Sequence, residues 1–304
     1  MRRPACLLLA CFCFPAPPAP AGDTAWQVHL DRPATVGDRA SVSSTGRQSR
    51  KITNTSPTQP AEVTEEALKI DYSAIHEVLA VDPAGRASTV LLRVDRLTTD
   101  DGSGPQEQFS AGTLITATAD GDRTRYQLGR TELEGTLSDA LDLAGARLHS
   151  SNEPSEDAVF LNQHPRRPGE QWMADPKRLA DAIAATSPFI IDPVTSSGEI
   201  RFEDILTEQD IPALSTTTIF KIDPVAIRKA AHQRFTGSSI TSTTQRIFPI
   251  DPALPILRET LETKMKLVQR ATSGPQPAGT ETLFSREVTR RCLPLPAGGM
   301  KKNS

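Results

Sequence analysis

Aromatic residues are scarce, 5% of the 304 positions, so little is available to stack sugars, and a glycosidase has poor material here. Cysteine is nearly absent beyond the start of the chain. Cys6, Cys11 and Cys13 fall within the first thirteen residues and leave Cys292 alone, which excludes an internal disulfide once that segment is removed. After that segment no uncharged apolar run approaches the roughly 20 residues of a transmembrane helix. There is no surplus of positive charge either. The formal charge is −3, and losing Arg2 and Arg3 makes it two units more negative, which argues against nucleic acid or an anionic membrane as an electrostatic partner.

The first residues read as an export signal. Arg2 and Arg3 precede an apolar run from Ala5 to Phe14, and Ala19-Pro20-Ala21 offers a small-residue cleavage site, so residues 1–21 are expected to be removed in a bacterial envelope protein. A competing reading takes Leu8-Leu9-Ala10-Cys11 as a lipobox that would make Cys11 an acylated anchor; the run before it is short for that purpose. Periplasmic or extracellular localisation is expected, and Cys292 is expected to be buried as a small apolar residue.

Abundant Thr and Ser with few aromatics suit strands that have one wetted face. The expected fold is mainly β (α+β), with antiparallel sheets built from hairpins and a few short helices. A first strand spans Asp38 to Thr45. Ile70–Val81 and Arg86–Leu97 flank Asp82-Pro83-Ala84-Gly85, where Pro presets the turn and Gly supplies positive φ. Thr113–Ala119 and Arg123–Leu128 flank Asp120-Gly121-Asp122. A helix is expected around Leu137–Ala144, ended by Gly145, and others after Asp175-Pro176 and Asp223-Pro224, with Asp as N-cap and Pro at the first helical position. The stripe in Lys221–Phe235 is narrow, so an edge excursion is the alternative there. Further strands are expected at Gly198–Leu206, Ala213–Ile222, Ser238–Phe248, Leu257–Gln269 and Thr282–Cys292. In Leu257–Gln269, Leu257, Leu261, Met265 and Leu267 alternate with Arg258, Glu262, Lys264 and Lys266, which gives one dry and one wet face.

The polar stretch Ser150–Asp157 is taken as a boundary between β-rich halves at 22–150 and 151–293, followed by an unordered tail at 294–304. Mid-chain, Pro168-Gly169-Glu170-Gln171-Trp172 resembles the Pro-rich approach to a G-[DE]-x-W step found in strand-rich exported bacterial proteins of uncharacterised function. That resemblance supplies no catalytic residues. Trp172 is read as a core anchor, with ligand stacking as the alternative.

Motifs for chemistry are missing. No G-x-S-x-G elbow or phosphate-binding glycine loop occurs, and His76-Glu77 begins a zinc motif that Ala80 breaks. Asp100–Gly104 lacks the alternating ligands of a calcium loop, Glu199, Glu203 and Asp204 fit a solvated strand face, and His164 with Arg166 and Arg167 fits a loop surface. No catalytic, metal or cofactor site is nominated. The leading expectation is a non-enzymatic envelope binding protein for a hydrophobic small molecule, which requires an apolar concavity that the protein's own helices leave open. An interaction module docking an envelope protein through sheet edges, with Ser238–Phe248 as the strand to watch, is the second. An enzyme with an unrecognised site, marked by buried ionisable groups in a cleft, is the third.

Overall fold

The hairpins expected from the turn residues are present, and they fuse into a larger object. The computed structural model describes residues 24–56, 58–121, 123–149, 153–186, 189–223, 226–227, 233–235, 237–271 and 279–296, and among these fourteen strands form one antiparallel sheet. The expected signal, with Cys11, and residues 297–304 lie outside the described residues.

From the N-terminal side come β1 (Arg39–Thr55), β2 (Glu62–Val81), β3 (Ala87–Asp100), β4 (Gln106–Glu107), β5 (Thr113–Asp120), β6 (Arg123–Leu128) and β7 (Thr131–Leu133). Helices α1 (Thr136–Leu143) and α2 (Glu156–Val159) follow, then β8 (Gln171–Met173), α3 (Pro176–Thr186) and β9 (Phe189–Ile190). The chain continues through β10 (Ser196–Glu208), β11 (Ile211–Ile222), β12 (Ala226–Ile227), β13 (Gln233–Phe235), β14 (Ser239–Pro249), β15 (Arg258–Ala271) and β16 (Gly279–Leu295). Across the sheet the order is β7-β6-β5-β3-β2-β1-β16-β15-β14-β11-β10-β8, with β4 beside β3 and β13 beside β15.

The turn chemistry works as expected. In the β2–β3 turn Gly85 has φ 78°, and the Asp82 carboxylate accepts from the Ala84 and Arg86 amides. At α3 the Asp175 carboxylate accepts from the Arg178 amide at 2.9 Å, the N-cap role expected of it. The helix expected after Asp223 is corrected where the chain is described. Ala226–Ile227 pairs with Phe189–Ile190, and Gln233–Phe235 lies along β15, so pairing with neighbours overrides a local helix signal that has only a narrow apolar stripe. Residues 224–225 and 228–232 lie outside the described set.

The joint between the N- and C-terminal parts is β1 against β16, paired from Arg39↔Leu295 to Thr55↔Gly279. The partition at residue 150 is therefore crossed by the sheet. Strand β16 also extends into the expected tail, where Pro294 is opposite Ala40. The Cys292 amide bonds Leu257 O at 2.8 Å just before β15 begins at Arg258, so two residues on, Pro294 lacks an N–H only where no neighbour awaits it.

One face of the sheet is covered and the other open. Residues 24–38 run as a strap over the covered face, tied at Trp26 to Arg166, at Leu30 to the Asp157 carboxylate, and at Ala34 and Gly37 to Gly85 and Val78. Helix α1 packs on β1, β2 and β6, enclosing Tyr72, Leu92, Val94, Leu97, Ile115, Tyr126, Leu141 and Leu143. Helices α2 and α3 with the strap enclose a second cluster of Val28, Leu30, Phe160, Trp172, Leu179, Ile200, Phe202 and Phe248. The close seating of α1 depends on Gly46 of β1, where an added Cβ would come within 2.9 Å of Leu143 Cγ and 3.2 Å of Ile70 Cγ1. Replacing Gly46 with Ala should lower stability by about 1–3 kcal/mol, read as a lower urea midpoint at unchanged slope. A neutral result would mean that α1 is not seated this closely.

Candidate functional site

Strand register sets the chemistry of the covered face. Phe202, Thr216, Arg246, Glu259, Arg290, Ser44, Tyr72 and Leu97 stand side by side on eight neighbouring strands, from β10 to β3. The row is apolar at both ends and ionic in the middle. Arg246 Nε donates to Glu259 Oε1 at 2.7 Å, Arg290 Nη2 lies 3.0 Å from Glu259 Oε2, and Arg246 Nη1 also bonds Glu156 at the start of α2. Burial works against the Glu259 charge, but Arg290 and Arg246 outweigh it and hold the carboxyl at about 2. Such a group accepts no proton near neutral pH. The cluster therefore acts as an electrostatic joint between sheet and helices and is ill suited to acid–base work.

The same strand supports α1. Arg290 Nη1 donates to Gly145 O at 2.9 Å and Arg286 Nη2 to Asp142 O at 2.7 Å, placing two cations at the helix's C-terminal carbonyls, where its own last turn has none.

Beside this row a recess of about 350 Å³ remains between sheet and strap. Its floor is Ala40 and Val42 of β1, His76 and Val78 of β2, Val90 of β3 and Cys292 of β16; its roof is residues 32–38, 145–149 and 253–256. The lining is mainly apolar, and Arg32, Arg39, Arg147 and Arg290 also border it. His76 Nε2 lies 2.9 Å from the Tyr72 hydroxyl, and burial together with Arg290 lowers the imidazole pKa to about 3. Cys292 is a buried free thiol on the recess wall, with its pKa raised by burial. Two further recesses adjoin. One of about 490 Å³ shares Arg32, Pro33, His149 and Ile256 with the first; another of about 300 Å³ shares Glu153, Pro154 and Glu156 with the second and reaches Phe160, Leu179 and Phe220.

The residues singled out in the sequence scatter. Trp172 is buried opposite Ile200 in the second apolar cluster, with the Arg166 guanidinium 5.0 Å from its ring centre, and it lines none of these three recesses. Arg166 of the basic cluster is thereby engaged in packing. Glu199 lies on the open face in register with Ile219, exposed Glu203 is 3.6 Å from Arg201, and Asp204 accepts from its own neighbour Ile205 at the β10 bulge. The Asp100 and Asp101 carboxylates accept from Gly102, Gly104 and Ser103 and so close their own loop. His76 and Glu77 point to opposite faces of β2, and Glu77 faces Arg39 at 3.7 Å. The recess was not nominated from sequence, because its lining comes from four strands and three loops far apart in the chain.

No family model matches the chain, and no curated protein matches it. Among solved structures, one described as lipid–protein interactions in lipovitellin aligns with 84% of this chain at 7% identity and a TM-score of 0.30, and this chain spans 26% of that one. A loop-deletion mutant of OmpT, an outer membrane protein of Vibrio cholerae, aligns with 84% of this chain and 99% of its own at 11% identity and a TM-score of 0.16. At these scores neither likeness bears on the fold or on the site.

Two measurements probe the site. Glu259→Gln leaves Arg290 without a carboxylate and should cost about 3 kcal/mol in chemical denaturation; a loss under about 0.5 kcal/mol would contradict the joint. His76 is neutral in folded and unfolded chains above pH 6.5, but below it the unfolded chain gains a proton that the folded chain refuses down to about 3. Stability should therefore fall with pH across that window, and His76→Gln should make the slope shallower there. Identical slopes for the two proteins would contradict the buried neutral imidazole.

Proposed function

We propose that this is an exported cell-envelope protein that binds a small hydrophobic ligand in the recess beneath its N-terminal strap. The observation that carries the reading is the apolar recess of about 350 Å³, floored by the sheet and roofed by three loops, within the range of about 300–1,000 Å³ common for small-molecule sites. Most of the covered face is filled by the protein's own helices, so the broad concavity of a bulk lipid carrier is not the arrangement at hand. A single small ligand fits the space better.

The edge-docking alternative loses its nominated strand. Ser239–Pro249 lies inside the sheet between β11 and β15, with both edges paired. The outer path ends in short strands, β7 and β8. Short edges limit strand addition. The export reading rests on the charged and apolar pattern of residues 1–21, as set out above.

Mass spectrometry under native and denaturing conditions on the chain from Gly22, expressed with its signal and purified gently from the envelope fraction, should reveal a small apolar passenger. Ala40→Leu adds volume to the recess floor and should abolish it while leaving the melting temperature within a few degrees. A passenger retained by Ala40→Leu would place the site elsewhere, and none in any preparation would count against ligand binding.

A further inference from the structure

The charge on the recess goes further than its apolar lining. Arg32, Arg39, Arg147 and Arg290 line it, while Asp38 is its sole carboxylate among the described residues. Asp38 is already engaged, accepting from the Thr35 amide at 2.7 Å within the strap turn. Two of the cations are countered from outside the recess, Arg290 by Glu259 at 3.0 Å and Arg39 by Glu77 at the longer distance of 3.7 Å.

Arg32 is different. Its guanidinium donates to two backbone carbonyls, Pro249 O at 2.8 Å and Asp251 O at 2.9 Å, and lies 5.1 Å from the centre of the Phe248 ring. Among the described residues no carboxylate is within ion-pairing distance of it, and its Nε is buried without an acceptor. Burial lowers its pKa to about 10, with Asp157 and Asp251 only partly offsetting the effect. A half-buried cation without a close counter-ion carries a desolvation cost, and an anion brought by a ligand relieves part of it.

We infer that the recess takes a single-chain amphiphile with an anionic head, an alkyl carboxylate being the simplest case, the head facing Arg32 and the tail lying along Val42, Val78, Val90 and Leu254. The volume, near the lower end of small-molecule sites, suits one short chain. This inference rests on the proposed function above and adds the charge and chain number of the ligand.

The test compares decanoate with decanol, equal in chain length and different in charge, by titration calorimetry on the delipidated full-length mature protein. Decanoate should bind roughly ten-fold or more tightly than decanol, with the gap narrowing as salt is raised. Arg32→Gln should remove most of the gap. Because Arg32 also ties the strap to Pro249 and Asp251, Arg32→Lys is the second variant; it loosens those ties but keeps the charge, so decanoate should still bind several-fold more tightly than decanol. Equal binding of the two probes overturns the anionic head while leaving an apolar ligand site standing, and binding of neither overturns both readings. A dioleoyl phospholipid that competes with decanoate overturns the single-chain assignment.

Discussion

The pairing of β1 with β16 is the constraint on which the rest depends. It brings the beginning and end of the described chain together along the whole of a 17-residue strand, and it turns two series of hairpins into one surface. Contacts so distant in sequence carry a high loop-closure cost, and they persist because each long strand is hydrogen-bonded on both sides and buries one row of side chains. Without this joint the helices after residue 135 would face a sheet that ends at β1. With it, α1 stands over the N-terminal strands and is capped by arginines from β16.

That arrangement explains why the middle of the covered face is ionic. Two apolar clusters form where helices lie flat on strands, and between them Arg246, Glu259 and Arg290 sit in register on three neighbouring strands. The strap then crosses from Arg166 in the second cluster to the β2–β3 turn in the first. Space remains beneath it because loops, with fewer side chains to offer, bridge the gap there. Half-filled space next to a positively charged border is the feature from which a ligand site is read.

Much of the fold was legible in local sequence and little of the site was. Turn residues at Asp82–Gly85 and Asp120–Gly121, the Asp175 cap and the alternation in β15 each act within a few residues, so each could be read directly. Parity is a guide only as far as the next bulge. Ala74 pairs with Val94 but Ser73 with Arg96, so Leu97 joins Val94 on the covered face despite an odd spacing. Strand order was hidden because β16 has two neighbours, β1 and β15, and its alternation looks the same against any partner. Arg32 carried no signal at all, since its isolation from carboxylates is a property of the folded loops.

Hydrogen exchange resolved by segment tests the central joint most directly. If the chain-end pairing makes one cooperative structure, amides of β1 and β16 should be among the best protected, and those of β2 and β15 should open with the same free energy as both. Exchange of residues 39–146 as a unit, at markedly lower free energy than residues 196–271, would mean that the two parts stand separately and that the shared covered face is not what holds the recess.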